Sequence, residues 1–139
     1  MPQRLRQLEH WLAHDCRLAD FAIEPASADA SFRRYFRVTL TDGTTRIAMD
    51  APPDKEDCRP FLAVAGLMAG AGLHVPAVYA QDQQQGFLLL EDLGARDYLS
   101  ALATDTVDDL YGDAVDALLR LQVNAPTSGL PDYDGDLLL

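Results

Sequence analysis

The chain has 139 residues, 48% of them hydrophobic, and a formal net charge of −11. That length and composition place it among globular domains with a core of their own and exclude a disordered segment. Residues 1–60 hold nine bases and ten acids and residues 61–139 hold two bases and twelve acids, a balance that argues against nucleic acid or an anionic membrane surface as partner.

No apolar stretch approaches the ~18 residues that would span a bilayer. The two cysteines, Cys16 and Cys58, form no CxxC pair, and no signal peptide opens the chain. Free thiols in the cytoplasm are the expectation.

In chain order, residues 3–18 read as a helix, with Leu5, Leu8, Trp11 and Leu12 on one face. Residues 21–25 form a short strand. From Phe32 the period changes to two: Phe36, Val38 and Leu40 share one face, while Arg33, Tyr35, Arg37 and Thr39 share the other. Arg34 alone breaks the alternation. "TDG" at 41–43 marks a hairpin, and 44–49 is the returning strand.

Two prolines in "DAPPD" end that strand. A helix is expected from about residue 54 to 71, with Pro60 at a kink or an early helical position and an inner stripe of Phe61, Val64, Ala65 and Met68. Residues 77–82 and 86–91 read as a second hairpin around a Gln-rich turn. The run Phe87–Leu90 is unbroken and apolar, as in a strand buried on both faces, and it leaves the core abruptly at Glu91 and Asp92. Residues 96–103 form a short helix. The segment 105–123 is the most regular helix, with Val107, Leu110, Tyr111, Ala114, Val115, Leu118 and Leu119 on one face and Asp105 as its cap. The terminal leucines read as the start of an element that continues. The order of elements is α+β: an antiparallel sheet of about five strands with a packed helix, then a helical piece.

The stretches "HVPAVYAQDQQQGFLLLEDLG", "DASFRRYFRV" and "MDAPP…EDCRPF", in that spacing, resemble the aminoglycoside phosphotransferase family of kinase-like enzymes. More narrowly they resemble its anomeric amino-sugar kinases of bacterial cell-wall recycling. The resemblance runs from the first helix to "LPDYDG" and covers only the family's first half. It implies a protein-kinase-like N-lobe over 1–94, ending in a hinge, and the first helices of a C-lobe over 95–139.

The resemblance also implies ATP as cofactor. Leu90 then takes the gatekeeper position, the Glu91 carbonyl and the Leu93 amide meet the adenine edge, and Asp92 lies between them in the hinge. The small-residue turn at 26–31 stands where kinases place a glycine-rich loop over the phosphates. Ser27, Ala28, Ala30 and Ser31 are its candidate contacts, followed by Arg33 and Arg34 as candidate phosphate cations. A plain wet strand face with salt bridges is the alternative for those arginines. The family's third-strand lysine is missing: Met49 or Asp50 occupies its place, leaving Arg33, Arg34, Arg37 or Lys55 to supply the charge. Glu56 and Asp57 are candidates for the helix glutamate, and Tyr98 for a contact beside the ribose.

The family's catalytic base and its magnesium ligands are expected beyond Leu139, so catalytic and metal residues within the chain are none, and the fragment alone is expected to be inactive. "DYDGD" at 132–136 has clustered acids but neither the catalytic pattern nor a calcium-loop glutamate. His10 and His14 lack a third metal ligand. The implied parent reaction transfers the γ-phosphoryl of ATP, with magnesium, to the anomeric hydroxyl of N-acetylmuramate or N-acetylglucosamine. An aminoglycoside or another sugar as acceptor remains open, as does a non-catalytic nucleotide- or protein-binding module. Self-association through an exposed lobe face is a further expectation.

Overall fold

The computed structural model describes residues 2–28, 31–94 and 97–131. The elements are α1 (Pro2–His14), β1 (Ala22–Ala28), β2 (Arg34–Thr39), β3 (Thr45–Asp50), α2 (Arg59–Gly70), β4 (Val78–Asp82), β5 (Phe87–Glu91), α3 (Tyr98–Ala101) and α4 (Val107–Asn124). The chain divides into two compact units, Met1–Val64 with Pro76–Arg96, and Ala65–Val75 with Asp97–Leu139.

In the first unit the five strands form one sheet in the order β1-β2-β3-β5-β4, every neighbouring pair antiparallel. Its register assigns side chains to faces. Phe36, Ala48 and Leu89 are cross-strand partners, as are Tyr35, Met49 and Leu88 on the opposite face. The first face carries Phe36, Val38, Ala48, Phe87 and Leu89, packed on Leu8, Trp11 and Leu12 of α1. The second carries Met49, Leu88 and Leu90, packed with Ala51 and Cys58 and flanked by Tyr35, Ile47, Phe61 and Leu62. β5 is therefore covered on both sides, which is why four consecutive residues are apolar and buried.

Local chemistry sets the element ends. α1 stops near His14, and Arg17 and Asp20 then take left-handed backbone conformations (φ +58° and +52°), so the helix ends earlier than the expected residue 18. β1 runs to residue 28, longer than expected, and tolerates Pro25 because it is an edge strand with a bulge between Pro25 and Ser27. α2 begins only at Arg59, whose amide donates to the Asp57 carboxylate at 2.9 Å, and Pro60 is its second residue. Of its expected inner stripe, Phe61 packs on the sheet together with Leu62, whereas Val64 is exposed.

In the second unit, Asp97 and Ser100 close a capping box at the start of α3. Thr106, not Asp105, stands at the N-cap of α4; its hydroxyl donates to the Ala101 carbonyl and accepts from the Ala103 amide, and it makes no cap hydrogen bond to the helix. The Asn124 side-chain amide reaches the Ala71 carbonyl at 3.4 Å. The apolar face of α4 is on the surface: Tyr111, Val115, Leu118, Leu119 and Val123 are all exposed. The acidic "DYDGD" stretch and the terminal leucines lie outside the described residues.

Candidate functional site: a cavity between the edge-strand bulge and the end of β5

A cavity of about 460 Å³ opens in the first unit. Ala26 and Ser27, at the bulge of β1, form one side. Leu90, Glu91, Asp92, Leu93 and Gly94, where the chain leaves the sheet, form another. Tyr35, Arg37 and Ile47 line it from the sheet, and Phe61 and Pro76 complete it. The register explains the sheet wall: Arg37 pairs with Ile47, and Ile47 with Leu90, so all three project from the same face.

Two anchors hold the exit of β5. The Glu91 amide donates to the Ala77 carbonyl at 2.8 Å, and the Ala77 amide donates back to the Glu91 carboxylate at 3.1 Å. Asp92 accepts from Arg37 Nε at 2.8 Å and Nη2 at 3.3 Å, from Thr45 Oγ1 at 2.7 Å and from the Gly94 amide at 2.8 Å. Its side chain is nearly buried. The Arg37 hydrogen bond, with help from Thr45 and Gly94, holds the Asp92 carboxyl well below the usual carboxylate range. Just past the second anchor Leu93 is half-exposed, and its amide finds no hydrogen-bond partner among the described residues.

The candidate residues from the sequence separate into groups. Ser27, Leu90, Glu91, Asp92 and Leu93 line the one cavity. Ala28 ends β1, and Ala30 lies outside the described residues. Ser31 is exposed, and its hydroxyl accepts from the Arg33 amide at 3.2 Å. Neither Ser31 nor Arg33 is among the lining residues. The Arg33 guanidinium sits 3.6 Å from the Glu56 carboxylate and over the Phe61 ring. Arg34 points to the opposite sheet face, where it donates to Asp50 at 2.9 Å, and it borders a second cavity of about 330 Å³ with Pro25, Ala26 and Phe36.

The third-strand position also resolves. Met49 faces the cavity side and is buried; Asp50 faces α1 and is fully buried, held by Arg34 and by Arg4, whose Nε donates at 3.1 Å. Two arginines thus pair with the carboxylate at the third-strand position, on the sheet face opposite the cavity. Lys55 stands over the Phe32 ring, and Asp57 binds Arg59. Tyr98, half-exposed, belongs to the second unit.

Sequence reasoning passed over Tyr35, Ile47, Phe61, Pro76 and Gly94. The two-residue period already placed Tyr35 and Arg37 on the face away from Phe36. Pairing Ile47 with Leu90 required the strand order. Among the described residues no group of three His, Cys, Asp or Glu side chains is arranged to hold a metal ion, and no helix is long and apolar enough to cross a membrane.

A family model described as "Phosphotransferase enzyme family" matches residues 22–139. Among curated proteins, the chain is similar to N-acetylmuramate/N-acetylglucosamine kinases. It is 54% identical to that of Pseudomonas aeruginosa over 82% of this chain and 33% of the relative. Identity is 46% with that of Pseudomonas putida, over 97% of this chain and 42% of the relative. For Neisseria meningitidis it is 37%, over 99% and 42%. The chain thus spans 33% to 42% of the length of these relatives.

Proposed function

This chain belongs to the phosphotransferase enzyme family, and we propose that it forms the nucleotide-binding part of an ATP-dependent small-molecule kinase. One observation carries the reading: the bulge at Ser27 and the exit of β5 at Leu90–Gly94, far apart in sequence, border the same cavity. A purine is apolar on its faces and polar at its edge. Ile47, Leu90 and Phe61 offer apolar walls for the faces, and the main chain at Leu93 offers a donor unpaired among the described residues for the edge. Ser27 stands on the side where the phosphates would leave the base.

ATP supplies the γ-phosphoryl group when bound; this chain's own residues hold and orient the nucleotide. The relatives' names support N-acetylmuramate and N-acetylglucosamine as acceptors; the anomeric hydroxyl as the position phosphorylated, and a cell-wall recycling role within the cytoplasm, are our proposal. In this reading the 139 residues bind nucleotide without transferring phosphoryl by themselves.

Amide shifts of the chain during an ATP titration test the nucleotide reading. Shifts centred on Ser27 and Leu90–Leu93 are expected; no response at millimolar ATP overturns it. The acceptor is tested with the polypeptide that carries this chain, given ATP and each amino sugar. Anomeric phosphorylation removes the reducing end, so loss of reducing-sugar reactivity is the readout. Phosphorylation of an aminoglycoside instead, with both amino sugars untouched, overturns the acceptor alone.

A further inference from the structure

Arg37 lines the candidate nucleotide cavity, and an arginine there invites assignment to the phosphates. Its hydrogen bonds point elsewhere. Both the Nε and one terminal nitrogen are directed at Asp92, a two-pronged contact that fixes orientation as well as charge. Asp92 spends its remaining acceptor capacity on the Thr45 hydroxyl and the Gly94 amide. The Gly94 contact, two residues on, closes an Asx turn around Leu93. The Thr45 and Arg37 contacts tie that turn to the start of β3 and to the middle of β2. An exit loop without such ties would have to become ordered each time a base bound, and that ordering would subtract from affinity.

We propose that Asp92 is a positioning residue: held by Arg37 and Thr45 and closed onto the Gly94 amide, its carboxylate sets the Leu93 main chain for the edge of a nucleobase. Arg37 acts within the same clamp and not as a phosphate cation. This deepens the nucleotide reading given above and rests on it.

The test uses the full chain and three probes: adenosine, ATP and inorganic tripolyphosphate. Asp92→Asn and Arg37→Gln each weaken adenosine and ATP by similar factors, about tenfold, the size expected when one charge-assisted contact worth about 1.4 kcal/mol is lost. Both leave any tripolyphosphate affinity as it was. Arg37→Lys keeps the charge but not the fork, and it recovers little of the adenosine affinity. Thr45→Val, which removes one exposed hydroxyl, gives a smaller loss of the same pattern and guards against misfolding of the stronger variants. Unfolding midpoints are measured alongside, and affinities are compared at temperatures where each variant is folded.

Two results overturn the clamp. In one, Asp92→Asn binds adenosine as the unaltered chain does. In the other, Arg37→Gln loses tripolyphosphate and keeps adenosine, which makes Arg37 a phosphate ligand. If the unaltered chain binds neither adenosine nor ATP, the nucleotide reading itself fails and the clamp falls with it.

Discussion

Arg34 and Asp50 are direct partners across the β2–β3 ladder, and the Arg34 guanidinium donates to the fully buried Asp50 carboxylate at 2.9 Å. Arg4 of α1 engages the other carboxylate oxygen, donates to the Gln85 carbonyl at 2.7 Å, and lies over the Phe87 ring. The network ties α1, β2, β3 and the β4–β5 turn together. A buried carboxylate is tolerable here because two guanidinium groups, each only partly exposed, neutralise it and satisfy its oxygens.

Removing the carboxylate should be the costliest change in the network. Asp50→Ala leaves two cations facing an apolar layer, and a loss of about 3–5 kcal/mol is expected from urea unfolding at unchanged m. Arg34 is one-third exposed and can rehydrate, and Arg4 still covers the acid in its absence. Arg34→Ala should therefore cost less, about 1.5–3 kcal/mol. Equal losses for the two variants, or a loss under about 1 kcal/mol for Asp50→Ala, would remove the network from the account of stability.

Gly86 closes the β4–β5 turn with φ +78°, and a Cβ there would stand 1.9 Å from the Ala51 carbonyl oxygen. That oxygen is main chain and cannot step aside, since the neighbouring Ala51 amide is bonded to the Gly86 carbonyl at 2.8 Å. Gly86→Ala should cost about 2–5 kcal/mol, combining the left-handed penalty with overpacking. Gly43 has a similar φ of +86° but open space around it, so Gly43→Ala should cost only the conformational part, about 1–2 kcal/mol. The difference between the two unfolding midpoints is the measurement, and a null difference would count against the close approach.

The clamp on Asp92 has a pH signature. Its carboxyl is depressed in the folded chain, chiefly by the Arg37 hydrogen bond. A depressed carboxyl stabilises fully above the unfolded-state value, about 3.9, and that contribution is lost as pH falls toward the folded-state value. Unfolding free energy measured from pH 6 to pH 2 should therefore fall less steeply in Asp92→Asn than in the unaltered chain. Parallel curves would show that Asp92 titrates alike in both states.

Neither cysteine should react readily in the folded chain. Burial pushes the Cys16 thiol up to about 11, with Asp15 adding to the effect and Arg46 opposing it. Burial also raises Cys58, more than its acidic neighbours do. At pH 8 both are thiols, which are poor nucleophiles. A disulfide reagent should titrate them slowly in buffer and rapidly in urea. Rapid modification of either one in buffer would contradict its surroundings.

Element types and order were legible in the sequence, because period-two and period-3.6 patterns follow directly from which residues must be apolar. The unbroken Phe87–Leu90 run told of a strand covered on both faces, and the small-residue turn and the abrupt acids after Leu90 were recognisable as separate features. The isolated Arg34 broke the β2 pattern, and nothing local explained it. Its reason is Asp50, sixteen residues on, and that pairing exists only once β2 and β3 lie in register with α1 above them. The same holds for Arg37 and Asp92, fifty-five residues apart. Periodicity says which face a charge occupies; a charge's partner depends on strand order and register, which are set by contacts distant in sequence. Tertiary structure alone therefore decided that these arginines are committed to carboxylates, and that the bulge at Ser27 and the exit at Leu93 share one cavity.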